Sequence, residues 1–121
     1  MRYFVFISVI GLLFFLSCRK DKAERMLTPD EIEFKKYCDS VGVTYTNDVY
    51  PIIHINCVVP GCHGAGATWD YTTYAGLKAK VDNGAFEQRV IIQRSMPDGP
   101  PLTALEIDIL KCWLLDGAPN N

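Results

Sequence analysis

The sequence predicts a mainly α-helical protein with four to five short helices joined by long loops. Two segments begin with a threonine, Thr28 and Thr103, and carry a glutamate three residues later, which is the capping-box pattern of a helix N-terminus. No alternating run of apolar and polar residues is long enough to predict a strand ladder. The long connections are unusual for a simple helical bundle of this size, and they are typical of a chain wrapped around a non-protein core.

The length and charge of the chain limit what it can do. It has 121 residues, which allows one domain. It carries 12 basic and 14 acidic residues, for a net charge of −2. Recognition of a nucleic-acid backbone requires a basic surplus, so we expect no nucleic-acid partner. A chain of this size builds a modest apolar core, and we therefore expect an additional source of stability.

Residues 1–17 are typical of an export signal. The apolar run from Tyr3 to Leu16 has 14 residues, whereas a bilayer-spanning helix needs roughly 20. A small residue and then Cys18 follow the run, which resembles the cleavage site of bacterial lipoproteins, a family in which this cysteine carries the lipid. The alternative is an ordinary signal cut nearby, with Cys18 discarded or free. We expect an exported protein, anchored by lipid to a bacterial membrane on the periplasmic side or at the cell surface.

The mature chain divides into a tether and a domain. Residues 18–42 are predicted to form the lipid-anchored tether, and residues 43–121 the domain. The tether is charged and without periodicity as far as about residue 27. A short helix then begins with Thr28 as its cap and a proline at its first position, and we expect it to end near Tyr37.

Within the domain, caps and helix breakers predict three helices and one helical turn. They are a helix over 49–57 capped by Asn47, a helix capped by Thr72 or Thr73 that ends at Asn83-Gly84, a turn over 87–94, and a helix from Thr103 to about Asp116. Residues 96–101 contain three prolines and a glycine and cannot be helical. One face of the last helix carries apolar residues at helical spacing, namely Leu105, Ile109, Cys112 and Trp113.

The stretch from Cys57 to His63 contains the residues that most clearly indicate a binding site, two thiols and an imidazole. The usual attachment sequence for c-type haem is Cys, two residues, Cys and His. Its two thiols add to the vinyl groups of the porphyrin, and the adjacent histidine binds the iron. Here Cys57 and Cys62 are separated by four residues, and His63 follows directly. Pro60-Gly61 predicts a turn that lets the two extra residues bulge outward.

Three other interpretations of these residues are open. A zinc site would use both cysteines, His63 and one more ligand, although no second paired-ligand motif is present. A disulfide between Cys57 and Cys62 is a purely structural alternative. A nucleophilic cysteine with His63 as its base would be catalytic, and it would need a third partner and a substrate cleft.

A haem would need a second axial ligand downstream of the motif, and Met96 is the candidate. It precedes a proline, which biases it toward an extended backbone on a stiff loop, and its thioether is a known haem ligand. The alternative is a methionine that fills a gap in the core. His54 is the second choice, but it lies one helical turn before Cys57, on the same side of the iron as His63.

Two cysteines are left when Cys18 is assigned to lipid and the motif to haem. Cys38 and Cys112 form an even pair in an oxidising compartment, where disulfides persist. A bridge between them would close a long loop and contribute about 4 kcal/mol in the loop-entropy model. Two buried free thiols are the alternative.

From about residue 43 to 121 the chain resembles the class I c-type cytochromes. More narrowly, it is similar to small haem-binding bacterial lipoproteins, and the resemblance covers about two-thirds of the chain. The shared segments occur in the same order and are Asp48-Val49-Tyr50-Pro51-Ile52, Cys62-His63-Gly64, Thr73-Tyr74-Ala75-Gly76-Leu77, Met96-Pro97, Leu102-Thr103, Trp113 and Gly117-Ala118-Pro119-Asn120. The Cys-x4-Cys-His spacer departs from the family pattern.

The resemblance implies a cytochrome c-like fold around one covalent haem c. The helices predicted over 47–57 and 103–116 would cross and cover one haem edge. Cys57 and Cys62 would attach the haem, and His63 and Met96 would bind its iron. The implied function is that of a monohaem electron carrier at the periplasmic or outer-membrane surface, with transient redox partner proteins and no enzymatic role.

Two other functions are open at this point. One is a haem-free, disulfide-stapled lipoprotein that binds a partner, and the other is a haem enzyme or sensor in which Met96 is displaced.

Some aromatic and basic side chains allow two interpretations each. Trp69, Tyr74 and Trp113 either line the haem pocket or pack in the core. Arg89 and Arg94 either pair with haem propionates or are solvated surface charges.

Overall fold

A computed structural model describes residues 27–121. The expected signal peptide over 1–17 and the expected lipid-bearing Cys18 lie outside these residues. Within 27–121 the regular structure is helical and no strand occurs, which confirms the mainly α prediction. No helix in this range is both long and apolar enough to span a bilayer.

The helical elements are short and follow one another with long connections. The α-helices are α1 (Pro29–Val41), α2 (Tyr50–Asn56), α3 (Tyr74–Asp82) and α4 (Ala104–Leu115). Two π-helical segments accompany them, the first over Tyr45–Val49 and the second over Glu87–Ile92. The first π segment runs directly into α2, so the two form one rod.

Helix α1 begins where the sequence predicts and ends later. The Thr28 side chain accepts a hydrogen bond from the Glu31 amide, and the Glu31 carboxylate accepts one from the Thr28 amide at 2.8 Å. The helix continues to Val41, so the predicted end near Tyr37 is wrong and Cys38 lies on α1. Gly42 ends the helix because its φ of 64° is left-handed, and its amide donates to the Cys38 carbonyl.

The rod that ends in α2 is capped by Thr44, and the prediction of Asn47 as its cap is wrong. The Thr44 hydroxyl accepts a hydrogen bond from the Asn47 amide, while the Asp48 carboxylate accepts one from the Thr44 amide at 2.8 Å. Asn47 therefore lies inside the first π segment. The wider turns of that segment let the helix begin three residues earlier than the sequence predicts.

Helix α3 packs closely on the loop that precedes it. Thr73 caps the helix, as one of the two predicted caps, by accepting a hydrogen bond from the Gly76 amide. A side chain at Gly76 would begin 1.8 Å from the carbonyl oxygen of Asp70. Glycine at this position therefore permits the start of α3 to lie directly against the Asp70 backbone.

Helix α4 has the predicted capping box at Thr103 and Glu106. Its buried face differs from the predicted one, because Leu105 is exposed. The buried side chains of α4 are Ile107, Leu110, Cys112 and Trp113. Contacts with neighbouring elements set the rotation of this helix, and the apolar spacing alone does not determine which leucine faces the core.

The core is centred on Trp113, whose side chain is completely buried. Its ring lies 5.8 Å from that of Tyr45, and its indole N–H donates to the Pro119 carbonyl at 2.9 Å. Tyr74 packs edge-on against Tyr45, and its hydroxyl donates to the Ala118 carbonyl. These contacts join α4, the first π segment, α3 and the C-terminal residues around one aromatic cluster.

The rod and α4 run in opposite directions. Tyr45 at the start of the rod contacts Trp113 near the end of α4. Asn56 at the end of the rod donates a hydrogen bond to the Glu106 carboxylate near the start of α4, at 3.2 Å. The first and last helices of the domain are therefore in contact at both ends.

A disulfide connects α1 to this core. Cys38 on α1 is joined to Cys112 on α4, the pair left over in the cysteine count, and both residues are buried. Lys111 also lies 5.4 Å from the centre of the Phe34 ring, which adds a cation–π contact between the two helices. The bridge joins residues that are 74 positions apart in the sequence and attaches α1 to the last helix.

We expect Gly76→Ala to destabilise the fold by at least about 2 kcal/mol, because its Cβ would overlap the Asp70 carbonyl. Urea unfolding followed by circular dichroism measures this change. Gly99→Ala is the matched control, since a Cβ there meets no atom within 4 Å. Equal stability of the two variants would contradict the close packing of α3.

We expect the double variant Cys38→Ser, Cys112→Ser to lose up to about 4 kcal/mol of unfolding free energy, because the unfolded chain regains the entropy of a long open loop. Denaturant titration with and without a dithiol reductant provides the measurement. The reductant should destabilise the wild type and leave the double variant unchanged. A wild type that is insensitive to the reductant would argue against the bridge.

Candidate functional site

The site is built on the backbone that leaves the end of α2. Gly61 has a left-handed φ of 84°, and the Cys62 amide donates to the Val59 carbonyl at 3.0 Å, which closes the turn predicted at Pro60-Gly61. The His63 amide then donates to the Cys57 carbonyl at 3.1 Å. The four residues of the spacer thus form a closed bulge. The hydrogen bond between His63 and Cys57 joins the two ends of this bulge.

Both cysteines of the motif carry free thiols. Cys57 is buried among the core residues, whereas Cys62 is exposed. Burial, and secondly the neighbouring Cys62, raise the pKa of the Cys57 thiol from 9.0 to about 11. A nucleophilic cysteine requires a lowered pKa, so Cys57 does not have the properties of a catalytic thiolate. The alternative of a Cys57–Cys62 disulfide is likewise absent here.

The imidazole of His63 is held in a defined orientation. Its Nδ1 lies 2.9 Å from the Trp69 carbonyl oxygen. Because a carbonyl only accepts, Nδ1 carries the proton, which leaves the lone pair of a neutral imidazole on Nε2. The Tyr71 ring stacks on the imidazole with a centroid distance of 4.2 Å and an angle of 13°. A histidine fixed through one nitrogen in this way presents the other nitrogen to a metal.

Comparisons with protein-family models, with curated proteins and with solved structures found no match to this chain. The chemistry of the site therefore has to be judged from its own residues.

An open cavity of about 630 Å³ adjoins the motif. Ligand pockets in proteins typically have volumes of roughly 300–1,000 Å³. Its wall consists largely of small and apolar residues from both sides of His63, namely Val58, Val59, Pro60, Gly61, Cys62, Gly64, Ala65, Gly66, Ala67 and Thr72. Of the motif's cysteines, the exposed Cys62 is the one that lines this cavity.

Met96 lies on the expected non-helical loop and packs against the core cluster that contains Cys57. The amides of Ser95 and Met96 both donate to the Arg89 carbonyl, at 2.9 and 3.3 Å, which holds the loop to the second π segment. Neither Met96 nor His63 lines the cavity. The structure thus brings His63 back to Cys57 through a backbone hydrogen bond, with Cys62 directly before it, and the assignment of Met96 as an iron ligand stays a prediction.

The remaining polar candidates lie at the surface. His54 is exposed on α2, with its ring 5.5 Å from that of Tyr50. Arg89 and Arg94 are also exposed, and neither forms an ion pair within the described residues. Both arginines are therefore solvated surface charges in this structure.

The three aromatic candidates have different environments. Trp113 and Tyr74 pack in the core around Tyr45. Trp69 is 55% exposed, and the Lys80 ammonium lies 4.7 Å from the centre of its ring. The ring of Trp69 is therefore a surface group, while its backbone carbonyl orients His63.

Sequence reasoning missed the groups that hold the imidazole. The Trp69 carbonyl has no signature in the sequence, because every residue carries one. Tyr71 is buried and stacks on His63, and no helical or strand periodicity marks it. Asp70, which lies between these two residues, does have a recognisable sequence pattern, because an aspartate two residues before a threonine is common in turns.

The donor set fits a haem attached through two thioethers. Two free thiols and an imidazole with an available Nε2 occur within one short segment, and of these three residues Cys62 lines the open cavity. Residues 27–121 contain no group of three or more His, Cys, Asp or Glu side chains that could hold a metal ion. The zinc alternative therefore lacks its further ligands in this range, whereas a porphyrin brings four nitrogen ligands of its own.

Proposed function

We propose that this chain is a monohaem c-type cytochrome that transfers electrons at a bacterial membrane surface. Cys57 and Cys62 would attach the haem, and His63 and Met96 would bind its iron. The fold would then be of the cytochrome c type, with the rod and α4 as its first and last helices. Cys18 would carry the lipid that anchors the protein.

The observation that carries this proposal is the state of the cysteines beside an oriented histidine. Cys38 and Cys112 are paired in a disulfide, whereas Cys57 and Cys62 are free. The His63 amide donates to the Cys57 carbonyl, so the histidine backbone is held next to that of the first cysteine. The Nδ1 hydrogen bond to the Trp69 carbonyl leaves Nε2 of this histidine available to a metal.

Met96 suits the second axial position on chemical grounds. Its loop is held by two amide hydrogen bonds to the Arg89 carbonyl, and it packs against the same core as Cys57. Histidine and methionine together favour a higher reduction potential than two nitrogen ligands. When bound, the haem supplies reversible one-electron transfer between ferrous and ferric iron.

The protein would contribute binding, orientation and exclusion of water. The core side of the site is apolar, since Cys57, Tyr71 and Val90 are all buried. If two side chains occupy both axial positions, no position is open to a substrate, which favours an electron carrier over an enzyme. Partners would dock transiently through small interfaces. A lipid anchor would confine these encounters to the membrane surface.

Purification of the full chain from cells that contain haem-attachment machinery tests the proposal. We expect a red protein whose pyridine-haemochrome spectrum and intact mass show one haem that survives acid–acetone extraction. The double variant Cys57→Ser, Cys62→Ser should lose the covalent haem. The double variant Cys38→Ser, Cys112→Ser is the matched control and should keep it. A colourless wild type with two alkylatable thiols would instead support the haem-free, disulfide-stapled binding module.

We expect Met96→Ala to open one axial position of the iron. The oxidised variant should lose its methionine–iron charge-transfer band, and the reduced variant should bind carbon monoxide, which the wild type should not. His54→Ala is the control for the second candidate ligand and should leave both spectra unchanged. Unaltered spectra in Met96→Ala would refute the assignment, and ready binding of carbon monoxide by the wild type would favour a haem enzyme or sensor.

A further inference from the structure

The two groups that orient His63 come from residues on either side of Asp70. The Trp69 carbonyl accepts the hydrogen bond from Nδ1, and the Tyr71 ring stacks on the imidazole. The Tyr71 amide also donates to the His63 carbonyl at 2.9 Å. The position of the imidazole therefore depends on a three-residue segment whose central residue does not itself touch His63.

The side chain of Asp70 closes the loop that contains this segment. Its Oδ1 accepts hydrogen bonds from the amide of Thr72 at 2.8 Å and from the hydroxyl of Thr72 at 2.6 Å. Its Oδ2 accepts a longer one from the Gly66 amide at 3.4 Å. These hydrogen bonds, the Thr72 hydroxyl first, lower the pKa of Asp70. The carboxylate thus links Gly66 to Thr72 within the loop that contains Trp69.

The backbone of Asp70 is fixed from the opposite direction. Its carbonyl oxygen lies against Gly76 at the start of α3, where no side chain fits. Helix α3 is in turn joined to the aromatic core through Tyr74. Asp70 is therefore the point at which a rigid helix and the loop of the site are connected.

We infer that Asp70 is a positioning residue for the imidazole of His63. Its carboxylate closes the loop over 66–72 so that the Trp69 carbonyl receives Nδ1–H and the Tyr71 ring covers the imidazole face. Nε2 is then held ready for the iron. The iron-binding part of this inference rests on the proposed function, whereas the orientation of the imidazole does not.

The test uses the full chain as purified, with its histidines labelled with 15N. NMR spectra are recorded with any bound haem iron in its ferrous form and with the disulfide intact. The readout is the exchange rate of the His63 Nδ1 proton with solvent. Asp70→Ala should raise this rate by about tenfold or more, because hydrogen bonds to a charged group contribute on that scale. Asp70→Asn keeps one acceptor oxygen and should restore most of the protection. Thr72→Ala, which removes one donor to Oδ1, should give an intermediate rate.

Thr103→Ala separates positioning from a general loss of stability. It removes a cap of similar chemistry at the start of α4, away from the His63 loop, and should lower the unfolding free energy by about 1 kcal/mol. We expect it to leave the exchange rate of Nδ1–H unchanged. A rate that rises equally in Thr103→Ala and Asp70→Ala, or that does not change in Asp70→Ala, would overturn the inference.

The two hypotheses can fail independently. If the purified chain carries haem, Asp70→Ala should also shift its reduction potential relative to the wild type and to Thr103→Ala, because the partner of the ligand histidine tunes the iron. An unshifted potential would overturn the iron-binding part. If the chain carries no haem but Asp70→Ala still releases the imidazole, the proposed function fails and the positioning role of Asp70 stands.

Discussion

The burial of Trp113 is the constraint on which the rest of the structure depends. Its ring lies against Tyr45, and its indole N–H requires a partner because an unsatisfied donor in the core is costly. That partner is the Pro119 carbonyl, so the chain after α4 has to fold back over the tryptophan. The neighbouring Ala118 carbonyl accepts the Tyr74 hydroxyl, which brings α3 to the same place. One large side chain thus arranges four parts of the chain.

The disulfide and the aromatic cluster together explain how so small a chain holds long loops in place. Cys112 directly precedes Trp113 on α4, and its bridge attaches α1 beside the same core. The site lies at the edge of this core and not within it, since Cys57 is buried while Cys62 is exposed. The structure therefore has a rigid side that supplies stability and an open side lined by small residues where a large group has room.

The orientation of His63 depends on a backbone carbonyl and an aromatic ring. The charged group nearby in the sequence, the Asp70 carboxylate, is hydrogen-bonded to the loop and not to the imidazole. A carbonyl and a stacked tyrosine hold the imidazole, and the Asp70 carboxylate is hydrogen-bonded within the loop that carries both. This arrangement orients the ring without placing an ion pair on it. It also accounts for the difficulty of recognising such a support in a sequence, because a backbone carbonyl has no residue signature.

Local patterns in the sequence determined the helix starts at Thr28 and Thr103, a further start at Thr72 or Thr73, the turn at Pro60-Gly61 and the even pair Cys38 and Cys112. Caps, turns and cysteine counts act over a few residues or by simple pairing. Tertiary structure decided that the rod begins at Thr44, that Leu105 faces solvent, and that Trp69 and Tyr71 hold His63. These outcomes depend on which surfaces meet around Trp113, and contacts between distant residues have no local signature.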